Sequence, residues 1–250
     1  MKALITGASS GLGRDMAYYL SDLGYDLILV ARRKERLYDI AKNVKTKTKI
    51  ILADLTLQSD VKKVYEQTAS DKIDLLINNA GFGLFGEFTK TDLDKELEMI
   101  DVNIKALHIL TKLFLKDFVK RNNGKILNVA SIAGFMHGPE LSTYYSTKNY
   151  VLKQSLAINS ELKKSKSAVQ VSVLCPGPFN TEFNEVAGVS FKTKGMTSEY
   201  IARYGVDKMM RGKEVIIPGL KWKLAIFATR FAPRKLISYI IGNFQHHKQQ

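Results

Sequence analysis

Within the run Tyr144-Tyr145-Ser146-Thr147-Lys148 a phenol and an ammonium stand four residues apart, and a hydroxyl, Ser131, lies thirteen residues before the phenol. Residues four apart share a helix face, so Tyr144 and Lys148 are expected to project together. An ammonium beside a phenol favours the phenolate and is expected to draw the tyrosine below its ordinary pKa of about 10. Three such groups could surround one reacting carbonyl and manage its proton, which points to an enzyme. The spacing alone is common on solvated helix faces, so the other motifs must decide. Only Tyr144 stands four residues before Lys148; Tyr145 turns about 100° away on a helix and is expected to pack.

Such groups need a scaffold. Beginning at Leu4-Ile5, apolar runs at Asp26 to Ala31, Lys49 to Ala53, Ile73 to Asn78, Lys125 to Ala130, Val169 to Leu174 and Glu214 to Ile217 read as buried strands, with amphipathic stretches between them. Short strands alternating with longer helical segments predict an α/β fold: a Rossmann-type doubly wound parallel sheet of about seven strands with helices on both faces. Ligands of such sheets bind beyond the carboxyl ends of the strands, where most of the candidate residues fall.

Length and composition agree with one domain over 1–250, a core over about 1–219 and a helical extension over 220–250. A chain of 250 residues with 45% hydrophobic content can bury a full core, and neither a linker nor a repeat divides it. The lone Cys175 excludes an internal disulfide framework and suits a reducing compartment. The first residues run straight into a strand and glycine loop, so a cytoplasmic location is expected. The net charge of +14 is compatible with nucleic acid or anionic membrane, but the lysines are scattered and no nucleic-acid motif accompanies them. A solvated basic surface is the expectation, without a nucleic-acid partner. Four histidines and one cysteine form no metal-ligand pattern, and no metal is expected.

Thr6-Gly7-Ala8-Ser9-Ser10-Gly11-Leu12-Gly13 joins the first strand to a helix starting near Leu12. Gly7, Gly11 and Gly13 permit a tight turn and close approach to a pyrophosphate, which the helix N-terminus attracts; Ser9, Ser10 and Leu12 complete the loop. After the second strand comes Ala31-Arg32-Arg33, without the acidic residue that would bind an NAD ribose hydroxyl. A small Ala31 followed by Arg32 leaves room for a 2′-phosphate and a guanidinium to hold it, with Arg33 beside it, so the cofactor expected is NADP. Asp54, followed by Leu55, could meet the adenine amino group or cap the next helix.

With Thr6 to Gly13, Asn78-Asn79-Ala80-Gly81, Asn103, Ser131 and Tyr144 to Lys148 in this order, the chain resembles the short-chain dehydrogenase/reductase family over about residues 1–219. The resemblance implies NADP(H)-dependent, reversible reduction of a carbonyl to an alcohol. It makes Tyr144 the acid in reduction and base in oxidation, and Lys148 the group that binds the nicotinamide ribose and lowers the Tyr144 pKa. Ser131 would donate to the substrate oxygen, and Asn103 would hold a water between Lys148 and solvent. It implies that Asn79 helps tie the sheet together and counts with Ala80 and Gly81 among the cofactor-binding residues, that Ala80-Gly81 pass beside the cofactor, and that Pro176-Gly177 and Thr181 contact its nicotinamide end. Asn78 is expected to be structural. Family members are often dimers or tetramers, here through helices around 91–120 and 139–163. The alternative is a catalytically weak cofactor-binding or redox-sensing protein on the same fold, which the intact Tyr-Lys pair disfavours.

Three segments are expected to wall the substrate: Phe82, Leu84 and Phe85 lie in the first, Phe135, Met136 and Leu141 in the second, and Phe179, Phe183 and Phe191 in the third. They suggest an apolar carbonyl substrate; His137 is expected at the surface. Beyond Gly219 basic residues interrupt two apolar stripes, which cannot span a membrane. Packing over the pocket or a subunit interface is favoured there over an amphipathic pair resting on anionic lipid. The tail resembles bacterial members near the hydroxysteroid and long-chain ketoacyl reductases.

Overall fold

Alternate residues of the inner strands are buried on opposite sides of one sheet. Ala3, Ile5, Leu27 and Leu29 pack into one apolar cluster, and Leu4, Ile28 and Val30 into another. Side chains along a strand alternate in direction, so a nearly continuous apolar run such as Leu27–Ala31 belongs to a strand covered on both faces. The computed structural model describes residues 1–179, 182–188 and 195–246.

The chain alternates strand and helix: β1 (Lys2–Thr6), α1 (Gly11–Asp22), β2 (Asp26–Ala31), α2 (Lys34–Asn43), β3 (Thr48–Leu52), α3 (Gln58–Glu66) and β4 (Leu75–Asn78). Then follow α4 (Leu93–Ile100), a π-helical stretch (Asp101–Ala106), α5 (Leu107–Lys120), β5 (Lys125–Val129), a 3₁₀ turn (Ile132–Phe135), α6 (Ser142–Lys164) and β6 (Gln170–Leu174). The last elements are α7 (Glu182–Ala187), α8 (Ser198–Met210), β7 (Val215–Ile216), α9 (Leu220–Thr229) and α10 (Arg234–His246). The seven strands are parallel in the order β3-β2-β1-β4-β5-β6-β7. The order reverses between β1 and β4, where a doubly wound sheet opens a crevice at its carboxyl edge.

The expected strands are all present, β2 at the expected bounds and the others with ends displaced by at most two residues. α1 begins at Gly11, one residue before the expected start. Asp54 caps no helix: α3 starts at Gln58 with Leu57 at its N-cap, and the Asp54 carboxylate accepts from the Thr56 amide at 3.0 Å and hydroxyl at 2.9 Å. A carboxylate that bonds its own backbone two residues on makes a turn, too far upstream to reach the helix amides. No helix among the described residues is long and apolar enough to cross a membrane.

Candidate active site

The crevice is held together by hydrogen bonds between the ends of β1 and β4. Thr6 Oγ1 accepts from the amides of Asn79 at 3.0 Å and Ala80 at 3.1 Å, while Asn79 Nδ2 donates to the carbonyls of Thr6 at 3.0 Å and Gly7 at 3.2 Å. The Asn79 amide nitrogen is therefore engaged by the glycine loop. Asn78 is structural as expected, donating to Thr111 Oγ1 at 3.0 Å and Asn128 Oδ1 at 2.9 Å. Gly7 (φ +64°) and Gly11 (φ +50°) adopt the left-handed backbone that favours glycine. Gly13 is needed for closeness: a Cβ there would lie 2.4 Å from the Gly7 oxygen and 2.5 Å from Asn79 Nδ2.

At the start of α6 the predicted groups converge. Tyr144 takes a hydrogen bond from Ser131, and the Lys148 ammonium lies 5.8 Å from the centre of the Tyr144 ring. Ser131 also caps the 3₁₀ turn, its Oγ accepting from the Ala133 amide at 3.1 Å. Lys148 is buried, and its Nζ donates to the Val129 carbonyl at 3.1 Å. A Cβ on Gly81 would lie 2.8 Å from Asn103 Oδ1 and 3.3 Å from Lys148 Nζ, so this strip of bare backbone runs between the two side chains.

The electrostatics correct one expectation. Burial, the dominant effect, raises the Tyr144 pKa above the ordinary phenol value; the Ser131 hydrogen bond pulls the other way. The expected lowering by Lys148 is not among the effects on the phenol; Tyr145 and Cys175 add to the rise that the desolvation of a phenolate dominates. Burial lowers Lys148 itself from 10.5 to about 8, with Cys175 opposing it, and pushes the Cys175 thiol up to about 12.

Asn103 lies in the π-helical stretch rather than in an uninterrupted α-helix. Its side chain is committed at both ends: Oδ1 accepts from the Phe82 amide at 3.1 Å, while Nδ2 donates to the Phe82 carbonyl at 2.9 Å and Thr147 Oγ1 at 3.0 Å.

At the far end of the crevice the two arginines divide. Arg32 is largely exposed and 3.7 Å from Asp54 Oδ2. Arg33 instead lies over the glycine loop, donating from Nε to Ser9 Oγ at 3.2 Å and from Nη2 to Ser9 Oγ at 3.1 Å and Ser10 Oγ at 2.7 Å. Its Nη1 meets the Glu182 carboxylate at 2.8 Å, and Arg36 pairs with the same carboxylate. Arg33, with Arg36 adding to it, holds Glu182 down to about 2. Of the two guanidiniums, Arg33 is the one that lies on the glycine loop, while Arg32 stays beside Asp54. Leu12 and Leu55 are buried in the core.

Sequence reasoning missed Glu182 as a partner of Arg33, Thr147 as the support of Asn103, and Trp222, whose indole packs so closely on Gly177 that a Cβ there would be 2.4 Å from Nε1. None carries a motif of its own. Phe183 packs on Tyr144 with ring centres 5.5 Å apart, and a Cβ on Gly83 would lie 3.1 Å from the Phe183 ring. Apolar side chains therefore stand beside the Tyr144 phenol. Tyr145 packs on Gly138. Thr181 and Phe191 lie outside the described residues. Among those described, no group of three or more His, Cys, Asp or Glu could hold a metal ion.

The glycine loop, the bare Gly81 strip beside Lys148 and the arginine over Ser9 and Ser10 fit an elongated phosphorylated nucleotide. Known proteins agree. The family model for short chain dehydrogenases matches residues 1–188, and the chain belongs to that family. An uncharacterized oxidoreductase of Staphylococcus epidermidis is 33% identical over 186 residues, 73% of this chain and 80% of that protein. A short-chain dehydrogenase from Sphingobium yanoikuyae solved in complex with NADPH is 30% identical, with a TM-score of 0.82 and coverage of 92% and 93% of the two chains. The bulky-bulky ketone specific alcohol dehydrogenase from Comamonas testosteroni is 28% identical, with a TM-score of 0.78 and 92% of each chain covered. The protein is an oxidoreductase of the short-chain dehydrogenase type, with a nucleotide-binding Rossmann fold.

Proposed function

We propose that this protein is an NADP(H)-dependent reductase of an apolar, bulky carbonyl compound. The observation that carries the reading is the Ser131-Tyr144-Lys148 cluster beside the Gly81 strip. Support for NADP comes from Arg33, which already draws in one anion, Glu182, and from the NADPH bound by the Sphingobium relative. Support for the substrate class comes from the apolar wall beside Tyr144 and from the ketone specificity of the Comamonas relative.

The nicotinamide supplies the hydride; the chain's own residues position the substrate and move the proton. Because burial raises the Tyr144 pKa, the phenol stays protonated at neutral pH and holds the proton that an oxygen gains on reduction. Ser131 donates to that same oxygen as charge develops on it. Its Oγ lone pair is engaged by the Ala133 amide, which leaves its hydrogen to point toward the tyrosine side. Lys148, with a pKa near 8, is poised to replace the proton Tyr144 gives up, and its ammonium suits ribose hydroxyls. Thr147 and Phe82 fix Asn103 on the far side of Lys148. We extend the proposal to a homo-oligomer built on α4–α5 and α6, as is common in the family.

The test is oxidation of NADPH and NADH with a panel of ketones, aldehydes and 3-oxoacyl thioesters. NADPH-linked turnover of bulky apolar ketones is expected. A clear preference for NADH would refute the cofactor reading; tight NADPH binding without turnover on any carbonyl would point instead to a cofactor-sensing protein.

A further inference from the structure

The last thirty-one residues, 220–250, contain Lys221, Lys223, Arg230, Arg234, Lys235 and Lys248, and neither Asp nor Glu. Successive residues of a helix turn by about 100°, which sorts the side chains of α9 into faces. Trp222, Ile226 and Thr229 form the inward face: Ile226 is buried and Trp222 lies on Gly177. Directly opposite stand Leu220, Leu224, Phe227 and, just past the helix end, Phe231, each more than half exposed. Lys223 and Arg230 flank this stripe on one side and Lys221 on the other. In α10 the buried Ile241 and Ser238, bonded through Oγ to His137 Nε2 at 2.6 Å, face the body. Leu236, Tyr239 and Ile240 face away, each about half exposed or more.

The expectation that this tail packs over the substrate side holds for one face of each helix only. The other face is an apolar ridge bordered by cations. We propose that α9 and α10 form a surface anchor that lies on an anionic lipid bilayer. Apolar side chains enter the acyl boundary while the flanking lysines and arginine reach back to the headgroups. Charge decides between this occupant and a second copy of the chain. A two-fold contact sets a patch against itself, and here it would place Lys221, Lys223, Arg230 and Lys235 near their own copies with no carboxylate on either helix to offset them. Anionic headgroups supply the missing charge. The inner faces of the two helices touch Gly177, just before the third of the segments expected to wall the substrate, and His137, within the second. The bilayer would therefore lie against the substrate entrance.

The whole protein is mixed with vesicles of phosphatidylcholine alone or of phosphatidylcholine with phosphatidylglycerol, and flotation is measured at low and high salt. The anchor predicts flotation with the anionic vesicles, at least about tenfold stronger than with neutral ones, falling at high salt. Replacing Lys221, Lys223 and Arg230 together by Ser is expected to weaken partitioning on the order of a hundredfold. Leu224→Asp with Phe227→Asp should abolish it. Far-UV dichroism and the melting temperature, unchanged in both variants, show that folding is intact. No flotation, or equal flotation with neutral vesicles, overturns the proposal. A dimer in solution that Phe227→Asp dissociates, without vesicle binding by the parent, overturns it in favour of self-association.

Discussion

Lys148→Met replaces a buried ammonium by an apolar side chain of similar length, and its effect on stability can be worked from the site. Burial lowers the lysine pKa from 10.5 to about 8, a difference of about 2.5 (10.5 less 8). At about 1.4 kcal/mol for each pKa unit, folding disfavours the charged lysine by about 3 kcal/mol. The sign follows from proton counting. Between about pH 8 and 10.5 the unfolded chain keeps a proton that the folded chain has released, so stability rises with pH across that window. The cost is complete below about pH 8. Methionine carries no such cost, but the variant loses the hydrogen bond to Val129 at 3.1 Å, a net of about 1 kcal/mol. Lys148→Met is therefore expected to be more stable than the parent at pH 7 by about 2 kcal/mol, or roughly 4–8 °C in melting temperature for a chain of this size. Thermal unfolding without cofactor is compared at about pH 7 and about pH 9.5, where the gap should shrink. Tyr144 and Cys175 are both raised by burial; Lys148 lowers Cys175 somewhat, and its removal lifts the thiol further, so in the folded state of either protein both groups stay protonated up to about pH 9.5 and leave the difference unchanged. Carbonyl reduction should be lost in the more stable variant. A variant no more stable than the parent at pH 7, or a gap that ignores pH, refutes the reasoning.

Tyr144→Phe keeps the ring that packs on Phe183 and should retain NADPH binding by fluorescence while turnover falls about 10²–10⁴-fold; turnover near the parent's would remove Tyr144 as the acid. Arg33→Ala should weaken NADPH binding on the order of 10–100-fold and leave NADH unchanged, whereas an equal effect on both would place Arg33 outside the phosphate site. Glu182→Gln removes a carboxylate from Arg33 and Arg36 and should tighten NADPH binding several-fold; weaker binding would mean that Glu182 supports the site rather than competes for it. Gly13→Ala sets a Cβ 2.4 Å from the Gly7 oxygen, a backbone atom that cannot turn aside. It should cost roughly 2–3 kcal/mol in urea unfolding, and an unchanged midpoint would contradict the close packing.

Much of the scaffold was legible because its signals are local. A run such as Leu27–Ala31 must be covered on both faces, and it lies in β2 at the expected boundaries. Tyr144 and Lys148 face together because four residues bring a helix back to the same side. Less legible was anything that turns on which neighbour lies nearest. Arg32 and Arg33 are adjacent in the chain, yet one points to Asp54 and the other lies on Ser9 and Ser10. Asn103 reads as a polar residue in a helix; only the π-helical stretch and Phe82 show how its side chain is used.

The succession of strands and helices along the chain, the turn at Gly7 to Gly13 and the pairing of Tyr144 with Lys148 were determined by the sequence alone, because each depends on backbone conformation and side-chain direction over a few residues. The raised pKa of Tyr144, the grip of Arg33 on Glu182 and the outward face of α9 were decided only by tertiary structure. Arg33 and Glu182 are 149 residues apart, and burial is set by every element that packs around a group. Desolvation and ion pairing depend on distances that the chain fixes only once it has folded.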